Sequence, residues 1–261
     1  GTKTLVAVFN EDGGIEEHVK FPTPKDYDAF ITQLVDTVNT LQTKDFSYGA
    51  VGVRGLVDRE KGTLIYDDVL TWQNKQLRDD LSLKLHLPFA LENDSKMAGL
   101  SEAHSVEGEY HKVLYITIST GIGSAFIVDG VIEPHVAGSE IGKILIEHEG
   151  RLQEWENFAS GSAIVETYGK RASEITDPQI WEDITYNFAV GIITACAVYT
   201  PELIIIGGGV GSHFERFEQP LRDHLERLKP PLVVIPPIIQ AKRPEEAVVY
   251  GCYQLAKQHR S

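Results

Sequence analysis

The chain of 261 residues contains two cysteines, one methionine and no cluster of Lys or Arg, and each scarcity excludes something. Cys196 and Cys252 are far apart and set among apolar neighbours, so there is no disulfide framework and no CxxC metal pair. Both read as buried packing. With 24 basic against 38 acidic side chains, a formal charge of -14 and no basic stripe, the chain lacks the footprint of a protein that tracks phosphate backbones. Its most apolar segment, Phe188 to Val198, is far shorter than the roughly 20 residues of a membrane span. No secretory or targeting segment precedes the first strand-like run, and the sum reads as a cytoplasmic protein with neither nucleic acid nor membrane as partner. What is present is a hydrophobic fraction of 42%, enough to build one large or two medium domains.

The order of elements repeats on a large scale. TLVAVFN, EDGG and IEEHVKF read as an opening β-hairpin with a glycine turn. Phe30, Ile31, Leu34, Val35, Val38 and Leu41 follow at helical spacing, with Pro24 near the helix start, and GAVGV reads as a strand. Lys75 to Leu85 is a second amphipathic helix, and PFALEN is a strand feeding a helix that carries Met97, Leu100 and Ala103. VLYITIS and SAFIVDGVIE form another hairpin through Thr120 to Gly123. A long buried helix near Ile184 to Tyr199, a strand ELIII, a glycine run, a helix near Phe214 to Leu228, a strand VVI and a terminal helix complete the chain. Hairpin, helix, strand, helix, strand thus occurs twice, which predicts two similar α/β halves with a boundary near residues 104 to 111.

Three glycine-bearing turns could meet an anion: GTKT at residues 1 to 4, STGIG at 119 to 123 and GGGVG at 207 to 211. Glycine lets backbone N–H groups approach phosphate closely, and the hydroxyl of Thr2 or Thr120 adds a donor. None fits the P-loop pattern, nor the dinucleotide fingerprint in its strand-to-helix context. Asp94 lies between a predicted strand and a predicted helix, where a short acceptor side chain caps free N–H groups. Asn93 beside it adds a second possibility. An amide and a carboxylate together at the carboxyl end of a strand suit sugar hydroxyls, and ligands of α/β sheets gather at such ends.

ALENDSKMAG, TISTGIGSAFIVDG, AGSEIG, ENFASGSAI and PELIIIGGGV, in that order and across essentially the whole chain, resemble the ROK family of sugar kinases and sugar-responsive repressors. The resemblance implies the actin/hexokinase-like α/β fold, with two RNase-H-like domains closing over ATP and sugar. Residues 1–106, with an incomplete first strand, would form one domain and residues 107–261 the other, the last helix packing back on the first. It implies an ATP-dependent kinase of a hexose or N-acetylhexosamine, using ATP with Mg2+ and acting on the C6 hydroxyl, and a homodimer. Asp94 would be the catalytic base. Gly55, Asn93, Glu140, Lys143 and Glu156 would bind the sugar. Gly1, Thr2 and Lys3, then Thr120, Gly121 and Gly123, would hold phosphates, and Gly207, Gly208 and Gly209 would lie on the adenosine side. The alternative is a catalytically weak or idle sugar-binding regulator of the same fold.

Four departures from the family pattern bear on these expectations. The first family loop reads DxGGTK, and the chain opens at its second glycine, which we read as a truncation. Asp68 stands where the family has asparagine, exchanging a donor and acceptor for acceptors alone. Arg54 replaces the proline before Gly55. Finally, many members read ExGH followed by CxCxxxxC, a zinc site, whereas here Lys143 follows Glu140-Ile141-Gly142 and no cysteine lies between residues 104 and 195. Lys143 is then either a donor to a sugar hydroxyl or a surface lysine, since a point charge on a flexible stem does not copy an imidazole. Without histidine and thiolates the tetrahedral site cannot form, and no structural zinc is predicted. Metal analysis of the purified protein should find no stoichiometric zinc, and one zinc per chain would overturn that expectation.

Overall fold

The computed structural model describes residues 3–67, 69–243 and 246–260, with Arg260 described by its backbone only. Contacts divide the chain into two compact units, Gly1–Ser101 with Glu246–Ser261, and Glu102–Glu245.

The first unit opens with the antiparallel pair β1 (Lys3–Phe9) and β2 (Ile15–Pro22). Helix α1 (Tyr27–Thr40) starts at Asp26, later than Pro24 suggests, because the Asp26 carboxylate accepts the Ala29 N–H at 2.9 Å. Its buried face of Tyr27, Phe30, Ile31 and Leu34 packs around Trp72, whose ring lies 4.9 Å from Phe30 and whose Nε1 donates to the Lys25 carbonyl. Strand β3 (Gly49–Val53) is followed by β4 (Leu56–Asp58), β5 (Thr63–Tyr66) and β6 (Gln73–Lys75), a three-stranded antiparallel sheet. That sheet has no counterpart among the predicted elements, because its strands are too short for an alternating pattern to register. Helix α2 (Leu77–Leu85) leads to β7 (Phe89–Asn93), which pairs in parallel with β3, and then to α3 (Asp94–His104), which runs through the unit boundary.

The second unit is built on one sheet of five strands in the order β10-β9-β8-β13-β14. Strand β8 (Lys112–Ile118) pairs antiparallel with β9 (Ile122–Val128), which pairs with the short β10 (Val131–Ile132). The hairpin β11 (Leu145–His148) and β12 (Arg151–Glu154) precedes helices α4 (Glu156–Ala159), α5 (Gly161–Tyr168) and α6 (Pro178–Tyr199). Strand β13 (Leu203–Gly207) lies parallel to β8 and buries every residue, so it reads as an unbroken apolar run. After the short α7 (Gly208–Gly211) and the long α8 (Phe214–Leu228), the last strand β14 (Ile238–Gln240) falls later than the predicted VVI. Pro236 and Pro237 carry no N–H to give a ladder, and the Pro237 carbonyl instead accepts from Ile204 at 3.0 Å, so pairing starts just beyond them. Helix α9 (Ala247–Arg260) belongs to the first unit and packs on β1, β3 and β7.

The two units differ in how their strands join. Strand β8 lies between β9 and β13, whereas among the described residues of the first unit β1-β2 and β3-β7 remain separate pairs.

The core of the second unit centres on Leu114, Ile116, Trp155, Phe188, Ile192, Ile206 and Phe217. Gly191 of α6 admits the Trp155 ring: a Cβ there would stand 2.0 Å from its Cε2. Gly191→Ala gains about 1 kcal/mol of helix propensity but overpacks a rigid ring, so a net loss of roughly 1–3 kcal/mol is expected in urea unfolding. An unchanged midpoint would contradict this packing.

Candidate active site

In the first unit, β3 and β7 run parallel with Val53 opposite Asn93, so Gly55 and the Asn93-Asp94 pair emerge at the carboxyl ends of neighbouring strands. Gly55 has φ +103, and a Cβ would lie 2.2 Å from the Tyr66 carbonyl oxygen, so the turn admits only glycine. Its carbonyl accepts the Asn93 amide at 2.9 Å. The Asn93 Oδ1 accepts the N–H groups of Ser95 at 2.9 Å and Lys96 at 3.3 Å, and thereby caps α3. Capping therefore falls mainly to Asn93, with Asp94 as the first helical residue. Asp94 Oδ1 accepts the Ser95 N–H at 2.8 Å, and the Arg54 charge acts on the same carboxylate. Burial pushes the Asp94 carboxyl above the usual range, against the pull of the Ser95 N–H and the Arg54 charge.

The backbone behind this pair is held by Glu92, which is 3% exposed. Its carboxylate accepts the Asn93 N–H at 2.6 Å and takes both Nε and a terminal nitrogen of Arg59 as a fork. Neither residue was singled out in the sequence, because their pairing depends on strand ends that carry no motif. Lys96, buried two residues beyond Asp94, was likewise missed.

In the second unit, β8 and β13 are parallel with Thr117 opposite Gly207, which brings the turn at 119–121 and the 207–209 run to adjacent strand ends. Gly208 has φ +82, and a Cβ there would stand 2.5 Å from the Ile118 carbonyl oxygen. Gly207 closes β13 beneath the Tyr115 hydroxyl, whereas among the described residues a Cβ at Gly209 would face open space. Thr120 is exposed, Gly121 follows it in the turn, and Gly123 lies on β9 opposite Thr117. The start of α5 joins the group, since Gly161 N–H donates to the Ser119 carbonyl at 2.6 Å.

Glu156 abuts the same turn. Its Oε2 accepts the Ile122 N–H at 3.0 Å, and its Oε1 accepts Lys143 Nζ at 2.6 Å. Glu140 is exposed at the head of the 3-10 turn Ile141–Lys143, where its carbonyl accepts the Lys143 N–H. Glu154, missed in the sequence, is the second partner of Lys143 at 2.8 Å. The structure thus groups Gly55, Asn93 and Asp94 in one unit. In the other it groups Glu140, Lys143 and Glu156 with the 120–123 turn, and the glycine run beside that turn. Lys3 opens β1 and is exposed; Gly1, Thr2 and Asp68 lie outside the described residues. Among the described residues no three His, Cys, Asp or Glu side chains are placed to hold a metal, and no helix is long and apolar enough to cross a membrane.

The fold is of the actin/hexokinase-like α/β class, as in the glucokinase of Streptomyces griseus solved with glucose and AMPPNP: TM-score 0.81, 22% identity, 98% of this chain and 96% of that one covered. The ROK family model matches residues 1–259, and the chain belongs to the ROK family. It is 27% identical over 98% of its length to the N-acetyl-D-glucosamine kinase of Haemophilus influenzae, covering 96% of that protein. It is 31% identical over 80% of its length to a putative fructokinase of Bacillus subtilis, covering 75% of that protein.

Arg59 supports the Asn93 backbone through the almost fully buried Glu92 carboxylate. Arg59→Met should cost about 3 kcal/mol in urea unfolding, at the lower end for a broken buried pair because Arg59 is partly exposed. Glu92→Gln in that background should recover part of the loss, and a loss below about 0.5 kcal/mol, the level of an ordinary surface change, would contradict the role.

Proposed function

We propose that the chain is an ATP-dependent kinase that phosphorylates the C6 hydroxyl of a hexose or N-acetylhexosamine. The observation that carries this reading is Asp94: a partly buried carboxylate with one oxygen fixed by the helix start, beside Gly55 and Asn93 at parallel strand ends. The kinases of N-acetylglucosamine and glucose among the relatives support the acceptor class.

In the proposed reaction Asp94 accepts the hydroxyl proton through Oδ2. The sugar oxygen forms its bond to the γ-phosphorus as the bond from that phosphorus to the bridging oxygen breaks, releasing ADP. Gly55, through its backbone, and Asn93, through the amide hydrogen not given to Gly55, orient the sugar, with Glu140 and Glu156 accepting from other hydroxyls. Thr120, Gly121 and Gly123 offer donors to phosphate, and the open space over Gly209 suits the nucleoside. Phosphoryl transfer asks mainly for positioning and charge neutralisation, so backbone-rich turns and a single base suffice. Magnesium would arrive with ATP, bound mostly through phosphate oxygens and water, and neutralise phosphate charge.

Asp94→Asn keeps an acceptor at the helix start but removes the base. Sugar-dependent ADP release should fall by about 10²-fold or more while the unfolding midpoint stays near wild type. Because the base must be deprotonated, kcat/KM of the wild type should rise with pH through a limb lying above the ordinary aspartate value of about 3.9, and that limb should vanish in the variant. Near-normal turnover in Asp94→Asn would remove the base assignment.

A further inference from the structure

Lys143 stands half exposed, with its ammonium between two carboxylates of the same unit: Glu154 at the end of β12, 2.8 Å away, and Glu156 at the start of α4, 2.6 Å away. Neither carboxylate is placed by chance of rotamer alone. Trp155 between them is fully buried; its N–H donates to the Ile144 carbonyl at 2.8 Å and its Nε1 to the Asn187 carbonyl at 2.9 Å, which fixes where the chain leaves β12 and enters α4. The pairing of β11 with β12, Leu145 opposite Glu154, returns the chain close to Lys143. The two carboxylates hold the ammonium firmly protonated, well above the ordinary lysine range.

On its other side Glu156 fits against backbone. A Cβ at Gly121 would stand 2.7 Å from its Oε2 and one at Gly142 would stand 3.1 Å away, so both glycines leave room for this carboxylate. The Ile122 N–H donates to the same oxygen. The donors to Glu156 thus come from Lys143 and from the turn that bears Gly121, and charge-assisted bonds of this kind are the strong ones.

We infer that Lys143 is a positioning residue: tethered by Glu154, it holds the Glu156 carboxylate against the Ile122 N–H and locks the sugar-binding acid to the phosphate-side turn. This rests on the kinase reading above for the words sugar and phosphate; the lock itself does not. Lys143 then acts on substrate only through Glu156, in contrast to a lysine that itself donates to a sugar hydroxyl.

The test is kinetic and structural together, on the full-length protein. Lys143→Met should raise the KM for sugar about tenfold while the KM for ATP changes by less than about twofold, and Lys143→Arg should restore part of the loss. In a Glu156→Gln background Lys143→Met should have almost no further effect, since the group it positions is already altered. A full additional loss there would mean that Lys143 touches substrate itself, and an unchanged sugar KM in the single variant would mean that it holds nothing; either overturns the inference. Amide exchange at Ile122 probes the lock without any turnover. Lys143→Met should speed it by about tenfold or more with the unfolding midpoint unchanged, and unaltered exchange would overturn the lock even if no sugar proved to be a substrate.

Discussion

Both halves of the proposed chemistry hang on one constraint, the in-register pairing of two parallel strands that end at the same level. Val53 faces Asn93 in the first unit, and Thr117 faces Gly207 in the second. A parallel ladder leaves its carbonyl ends and the N–H groups of the following turns unpaired on a single edge, which is where polar ligands of α/β sheets collect. A slip of one residue would turn Asn93 or Gly207 to the opposite face of its sheet. The apolar strands β8 and β13, buried on both sides, hold that register in the second unit. In the first unit the Arg59–Glu92 fork and the Asn93 bond to the Gly55 carbonyl do so at the strand ends themselves.

The local chemistry around Asp94 follows from a division of labour between adjacent side chains. Asn93 satisfies two helix N–H groups with its oxygen and the Gly55 carbonyl with its nitrogen, so the helix start engages only Oδ1 of Asp94, through the Ser95 N–H. Burial then disfavours the charged form of Asp94, which in the proposed reaction better matches it to accepting a proton from an alcohol. In the second unit the Glu156 carboxylate is held by an ionic bond to Lys143 and by the Ile122 N–H. The β11–β12 hairpin delivers Glu154 to Lys143 as its second acidic partner.

Much of this was legible in the residues. The two hairpins, the long buried helix, the apolar ELIII strand and the junction at Asn93-Asp94 all announce themselves through periodicity or through a polar pair closing an apolar run. What escaped has physical reasons. The VVI segment has strand composition, but the prolines after it move pairing to Ile238–Gln240. Asp94 and Asn93 are equally good caps by residue type, and only geometry separates them. Glu154, Arg59 and Glu92 matter through partners brought close by hairpin register or strand ends, and nothing in a linear motif marks an ion pair of that kind. The whole-chain motif order nevertheless pointed to the family that the match over residues 1–259 establishes.

The most direct measurement is ADP release from ATP by the full-length protein across glucose, N-acetylglucosamine, N-acetylmannosamine and fructose. Saturable ADP formation that requires one of these sugars is the expected result. Tight binding of a sugar with no ADP formed above the sugar-free rate would contradict a kinase and leave a sugar-binding regulator of the same fold.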